Sequence, residues 1–155
     1  MIGLPTSGKS SFIKKNLSHI ETISFDKTLL NYFKNLTYND AIKLYMNDFQ
    51  VQKKLKDKIN HTFHLSLSKG INLIIDFTNL TKEERNRWII PSQKYNYQVI
   101  GIYLNIDKKI FCYRNNIRKK KENKEIPLNV YSSMIEKFEI PTLKEFDIFI
   151  ISKTL

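Results

Sequence analysis

Cysteine is almost absent. Cys112 is the only one, so no internal disulfide can form and a reducing compartment is expected. Glycine and proline number four each, too few for a Gly/Pro-rich linker or a collagenous tract. Ala41 is the only alanine, while Lys, Asn, Ile and Tyr abound; that bias fits an AT-rich coding sequence and carries no chemistry. Long hydrophobic runs are missing too. The apolar run at 71–75 falls far short of the ~20 residues needed to span a bilayer. Met1 and Ile2 lead straight into Gly3 without a basic head or apolar block, so no leader peptide is read and the expected location is intracellular, cytoplasmic or nuclear. Acids are scarce: 15 Asp and Glu stand against 26 Lys and Arg, for a formal net charge of +11. Such an excess favours polyanionic partners, although lysine-rich coding bias contributes to it.

What is present is globular. With 41% hydrophobic and 26% charged residues, 155 residues suffice for one core, and a single domain over 1–155 is expected. Residues 10–18 read as a helix with Phe12, Ile13 and Leu17 on one side, and 19–25 as a short strand. Residues 38–69 carry apolar positions near a 3.6-residue period but exceed the usual helix length, so two helices or one kinked helix are expected, stopped by Gly70. The run 71–76 is continuously apolar but for Asn72 and ends in a carboxylate, as a strand buried on both faces does. Thr81 and Glu84 form a capping box for a helix to about residue 95. Strands follow at 99–104 and 146–151, with helices at 107–121 and from Pro127 to about 138. Alternation of this kind predicts a three-layer α/β/α architecture around a mostly parallel sheet.

The most specific signal is Gly3-Leu4-Pro5-Thr6-Ser7-Gly8-Lys9-Ser10, which matches the phosphate-binding loop. Glycines let the backbone curl so that its N–H groups converge on phosphate oxygens, and the helix that follows adds its positive N-terminal end. Lys9 is placed for the β- and γ-phosphates of ATP, and the Ser10 hydroxyl for Mg2+. Gly3, Ser7, Gly8 and Ser11 are the other candidate nucleotide contacts of the loop, and Arg114 and Arg118 those outside it. Only two residues precede Gly3, where such a loop ordinarily follows a full central strand, so two readings stand: residues upstream are missing from this chain, or the strand is cut short and the loop poorly supported.

Phosphoryl transfer to a hydroxyl needs a carboxylate to take the proton and cations to balance charge. Asp26 and Asp76 each follow a predicted strand, at the end where parallel sheets place their ligands. Two readings stand for each: a site carboxylate, or a helix cap at Asp26 and a turn at Asp76. Arg114 and Arg118 lie four apart on one helical face, positioned either as a lid over the loop or as a surface pair. They fall within 108–124, which holds eight basic residues and one acid, Glu122.

The ordered set resembles the kinase domains of bacteriophage and animal 5′-polynucleotide kinases. It comprises the loop at 3–11, the strand end Ile23-Ser24-Phe25-Asp26, Ile74-Ile75-Asp76-Phe77-Thr78-Asn79, and Tyr113-Arg114-Asn115-Asn116-Ile117-Arg118. Ile126-Pro127 and Phe138-Glu139-Ile140-Pro141-Thr142-Leu143 complete it. The resemblance implies a P-loop fold with a helical lid, ATP and Mg2+ as cofactors, and a nucleic acid with a 5′-hydroxyl end as acceptor. It implies Asp26 as general base, Lys9 and Ser10 on ATP and metal, Arg118 on the transferring phosphate, and Asp76 and Arg85 on the acceptor side. Leu29 stands where the phage enzymes carry an arginine, and Thr6 where their loop has glycine. No phosphatase or ligase segment accompanies these motifs, so a repair partner would be a separate chain. A small-molecule kinase of the same fold and a non-catalytic binding module are the competing readings. His61 and His64 read as surface residues rather than metal ligands, and Trp88 as core.

Overall fold

Several helices of the chain open on a side chain that caps them, and the strands are short, at four to six residues. The computed structural model describes residues 1–122 and 124–153. In chain order the elements are α1 (Lys9–Asn16), β1 (Glu21–Ser24), α2 (Phe25–Tyr32), α3 (Tyr38–Asn47), α4 (Phe49–Ser68), β2 (Leu73–Asp76), α5 (Lys82–Lys94), β3 (Ile100–Asn105), α6 (Lys108–Glu122), α7 (Leu128–Glu136) and β4 (Ile148–Lys153). The helical stretch 38–69 is two helices. Asp48 makes the break: its carboxylate accepts from the N–H groups of Gln50 and Val51 and so caps α4. Thr37 and Thr81 cap α3 and α5 in the same way. Gly70 at φ 70° ends α4 in the left-handed conformation that glycine adopts without penalty.

Strand boundaries shift from the sequence expectation: β1 begins at Glu21 and not 19, β2 at Leu73 and not 71, β3 runs one residue later, and two further shifts have a visible cause. The first strand stops at Ser24, and Phe25 and Asp26 already belong to α2, which the Thr28 hydroxyl ties back to the Ser24 carbonyl at 2.9 Å. The last strand starts at Ile148 rather than 146, because Leu143–Glu145 forms a 3-10 turn and Phe146 packs its ring against Gly101.

β1 pairs with β2 and β3 with β4, both in parallel. Residues 1–3 lie between the two pairs. The Met1 amine donates to Ile75 O at 3.0 Å on the β2 side, while Ile2 N–H donates to Ile102 O and Ile2 O accepts from Leu104 N–H on the β3 side. Only Ile2 bridges to β3, and it is buried. The expected short strand is thus a single bridging residue, tied on both flanks: Gly3 N–H donates to Thr78 O and the Asn79 amide donates to Met1 O at 2.8 Å.

Side-chain alternation along β2 explains its apolar run. Leu73 and Ile75 pack against Ile59, Phe63 and Leu67 of α4 and Trp88 of α5. Ile74 points the other way, into a cluster with Ile13 of α1, Met1 and Leu104. A strand with helices on both sides must be apolar on both faces, which gives the three layers. A third cluster, Leu29, Ala41 and Leu55, packs α2, α3 and α4 together. Among the described residues, no helix is long and apolar enough to cross a membrane.

Candidate active site

The loop between residue 2 and α1 runs through conformations that its sequence must tolerate. Gly3 has φ 145°, and a Cβ there would meet Leu104 O at 2.6 Å and Ser7 Oγ at 2.9 Å, so no other residue fits. Gly8 has φ 97° and precedes α1 without a side-chain cap, and no acid lies in the first turn. The first-turn N–H groups of α1, from Lys9, Ser10 and Ser11, are therefore left for an anion. Thr6 has φ 62°, a conformation in which a β-branched residue is strained. Its carbonyl accepts from Arg114 Nη1 at 3.2 Å, which ties α6 to the loop. The hydroxyls of Thr6 and Ser7 are buried without a partner.

Lys9 is buried, and its Nζ donates to Gly3 O at 2.8 Å and Leu4 O at 3.0 Å, arching over the loop. Burial pushes its pKa down to about 8; Asp76 and then Asp26 oppose the fall, and Arg118 adds to it. All four groups therefore act on one electrostatic neighbourhood. Ser10 donates through Oγ to Asp76 Oδ2 at 3.0 Å. Asp76, expected on the acceptor side, thus stands beside the loop serine, with β2 ending against the start of α1.

Asp26 sits in the first turn of α2, where its carboxylate complements the positive helix end. Its Oδ1 accepts from the Tyr38 hydroxyl and its Oδ2 from Lys124 Nζ, both at 3.1 Å. The Lys124 ammonium also lies 4.1 Å from the centroid of the Tyr38 ring. Burial first, and then Asp26, raise the pKa of Tyr38, so its phenol stays protonated and donates. Arg118 makes a long contact with Glu122 at 3.8 Å. The structure therefore places Gly3, Ser7, Gly8, Lys9, Ser10 and Ser11 in the loop and the first turn of α1, with Asp76 on Ser10 and Arg114 on Thr6, and Asp26 and Arg118 within electrostatic reach of Lys9.

Arg85 is the exception. Its guanidinium is buried, with Nε and Nη2 on the two oxygens of Glu145 at 2.6 and 3.1 Å and Nη1 shared among the carbonyls of Asn79, Leu80 and Glu139. Every face of the group is engaged inside the protein, so it cannot serve an acceptor; Arg85 is a structural rivet between α5 and the segment before β4. Sequence reasoning also missed Tyr38 and Lys124. Neither carries a motif, and positions 26, 38 and 124 meet only through the tertiary fold. His61 and His64 are exposed, and among the described residues no cluster of His, Cys, Asp or Glu could hold a metal. Trp88 is core, its indole N–H donating to Asn79 Oδ1 at 3.0 Å.

Comparison with known proteins agrees with this geometry at the level of the loop and sheet. A family model described as an AAA domain matches residues 1–141. The chain is also 25% identical over 146 residues to the bifunctional polynucleotide phosphatase/kinase of Schizosaccharomyces pombe, a match that covers 94% of this chain and 30% of that protein. The chain thus spans less than a third of that relative's length.

Proposed function

The chain belongs to the AAA domain family, a P-loop kinase-like fold, and from that premise we propose that it transfers the γ-phosphoryl group of ATP to the 5′-hydroxyl end of a nucleic acid. The observation that carries the reading is the hydrogen bond from Ser10 Oγ to Asp76 Oδ2 at 3.0 Å beside the Lys9 ammonium on Gly3 O and Leu4 O, which sets a candidate metal ligand and a cation at one phosphate cradle. The relative's name supplies the acceptor class, and the basic segment 108–124 fits it, because a polynucleotide rewards phosphate contacts beyond the reacting end.

The residues fit a triphosphate. The uncapped amides of α1 and the partnerless hydroxyls of Thr6 and Ser7 call for acceptor oxygens, and phosphate supplies them. Lys9 holds its ammonium at the loop, ready for the β- and γ-phosphates. Ser10 Oγ and Asp76 Oδ2 are the pair that would hold Mg2+, which when bound neutralises charge on the β- and γ-oxygens. Asp26 takes the proton of the attacking hydroxyl. Arg114, already on Thr6 O, and Arg118 present cations from α6 to the charge that builds on the transferring group. In-line transfer then needs the 5′-oxygen between Asp26 and the γ-phosphorus.

Label transfer from ATP in the presence of Mg2+ tests the reading, using oligonucleotides that end in a 5′-hydroxyl or a 5′-phosphate. Label should enter only the hydroxyl form. Lys9→Ala should abolish ATP binding, and Asp26→Asn should lower the transfer rate by roughly 10²- to 10⁴-fold while ATP still binds. Transfer to a small alcohol in place of any oligonucleotide would identify a metabolite kinase, and failure to bind ATP would leave a non-catalytic module.

A further inference from the structure

We propose that Lys124 and Tyr38 form a clamp on Asp26 that keeps the phosphoryl group of ATP from passing to water before the acceptor arrives. The inference rests on the reading of Asp26 as the base. It makes Tyr38 a positioning residue and Lys124 a residue that decides which hydroxyl reacts.

The geometry has three parts. The Asp26 side chain is 41% exposed even with both partners in place, so water is held off by occupation of its oxygens and not by burial, and a base beside bound ATP with those oxygens free would serve water as readily as an alcohol. Both of its oxygens are engaged from opposite elements: Oδ1 by the hydroxyl of Tyr38 on α3, Oδ2 by the ammonium of Lys124 beyond α6. With Oδ1 held by Tyr38, Lys124 occupies Oδ2, the oxygen that the proposal gives to an attacking hydroxyl. Its own side chain is only 16% exposed, held between the carboxylate and the Tyr38 ring.

Lys124 is also built to travel with the lid. Two residues beyond it, Ile126 is stapled to α6 by a reciprocal pair: Asn115 Nδ2 donates to Ile126 O at 2.8 Å and Ile126 N–H donates to Asn115 Oδ1 at 3.1 Å. Glu125 pairs with Lys119 of α6 at 2.8 Å. A polyanion that draws the basic face of α6 toward itself therefore pulls Lys124 off Asp26, while Tyr38, on a separate helix, keeps Oδ1 in place. The acceptor hydroxyl then finds a free Oδ2. Without an acceptor, the competing reaction is hydrolysis: a water oxygen bonds to the γ-phosphorus, the bond from that phosphorus to the bridging oxygen breaks, and ADP leaves with the electron pair. The water proton would go to Asp26, the one group that the clamp has covered.

The experiment measures phosphate release from ATP and Mg2+ by the whole chain without oligonucleotide, beside label transfer to a 5′-hydroxyl oligonucleotide. Lys124→Met should raise acceptor-free hydrolysis by about tenfold, a modest part of what a positioned base contributes. Lys124→Gln should act likewise, Lys124→Arg should keep hydrolysis low, and Lys124→Met combined with Asp26→Asn should return it to the wild-type level. Tyr38→Phe should lower the kcat of transfer several-fold with the KM for ATP unmoved. Hydrolysis by both Lys124→Met and Lys124→Gln at or below wild type overturns the clamp, as does an increase that survives Asp26→Asn. If wild type transfers label yet these variants hydrolyse no faster, the clamp alone fails; if wild type transfers to no 5′-hydroxyl end, the reading beneath it fails as well.

Discussion

Replacing Arg85 with methionine separates a structural rivet from an acceptor contact. Arg85 and Glu145 have side chains only 1% and 4% exposed, joined by two charge-assisted hydrogen bonds. Burial alone would raise the pKa of Glu145, but Arg85 and the Thr142 N–H outweigh it and hold the carboxyl below the ordinary glutamate range. Arg85→Met leaves that carboxylate buried without its cation and strips a donor from the carbonyls of Asn79, Leu80 and Glu139. Removing one partner of a buried pair costs about 3–5 kcal/mol. For a chain of this size each kcal/mol lowers Tm by roughly 2–4 °C, so a fall of about 6–20 °C is expected. Glu145→Leu on top of Arg85→Met should recover part of the loss, since two apolar residues tolerate burial; recovery stays partial because the carbonyls of Asn79, Leu80 and Glu139 have each lost the Arg85 donor and the Thr142 N–H its acceptor, while Leu80 O keeps the Glu139 N–H. The pH sign follows from the depressed carboxyl. The pair's contribution is complete above the unfolded glutamate pKa and disappears as pH falls through the lower folded value, so the gap between wild type and Arg85→Met should narrow in acid. Thermal melts at pH 7 and pH 4, with the KM for oligonucleotide measured on the same preparations, check all of this. An unchanged Tm with a raised oligonucleotide KM would falsify the argument and return Arg85 to the acceptor side.

Three further outcomes are expected. Lys9 loses its proton as pH climbs through about 8, so ATP affinity measured by calorimetry should weaken between pH 7 and 9, whereas a flat profile would mean that the buried ammonium keeps its proton; over the same range the unfolded chain, whose lysine stays charged, binds more protons, and folding stability from Lys9 should rise with pH. Changing Lys119, Lys120 and Lys121 to alanine should weaken oligonucleotide binding and flatten its salt dependence by about 0.7 in log–log slope for each lysine that contacts a phosphate, and an unaltered slope would remove α6 from the nucleic-acid path. Thr6→Gly relieves a left-handed β-branched residue and a buried hydroxyl without a partner, worth about 1–3 kcal/mol in strain against a glycine entropy cost of about 0.5–1 kcal/mol, so the urea midpoint should rise, and a fall would show that the threonine methyl packs better than its backbone suffers.

Most of the fold was legible because its signals are local. The Thr81 cap, Gly70 after a periodic stretch and the end of the apolar run at Asp76 each depend on a few neighbouring residues, and each appears in the structure where the sequence places it, although the Glu84 carboxylate accepts from Leu80 N–H and does not close the box on Thr81. The errors fall where tertiary contacts overrule local preference. Phe25 reads as strand by propensity, yet its ring packs edge-on against Tyr45 and the backbone has already turned into α2. Phe146 reads the same way, but the bare α-carbon of Gly101 admits its ring and delays the last strand to Ile148.

The site divides along the same line. A phosphate loop is contiguous, so eight residues declare it, and the rule that parallel strands deliver ligands at their carboxyl ends nominates the two carboxylates as candidates. Electrostatic partners are different in kind. Arg85 and Arg118 are both arginines on helices, and nothing in their immediate sequence says that one is buried on Glu145 while the other lies within electrostatic reach of Lys9. What separates them is Glu145, sixty residues downstream, a carboxylate with no motif of its own. The same holds for Lys124, one lysine in a crowded basic segment until the fold sets it on Asp26. Charge in this chain is abundant and therefore uninformative residue by residue; its meaning lies in which few cations lose their water, and only the packing of α5, α6 and the segments around them decides that.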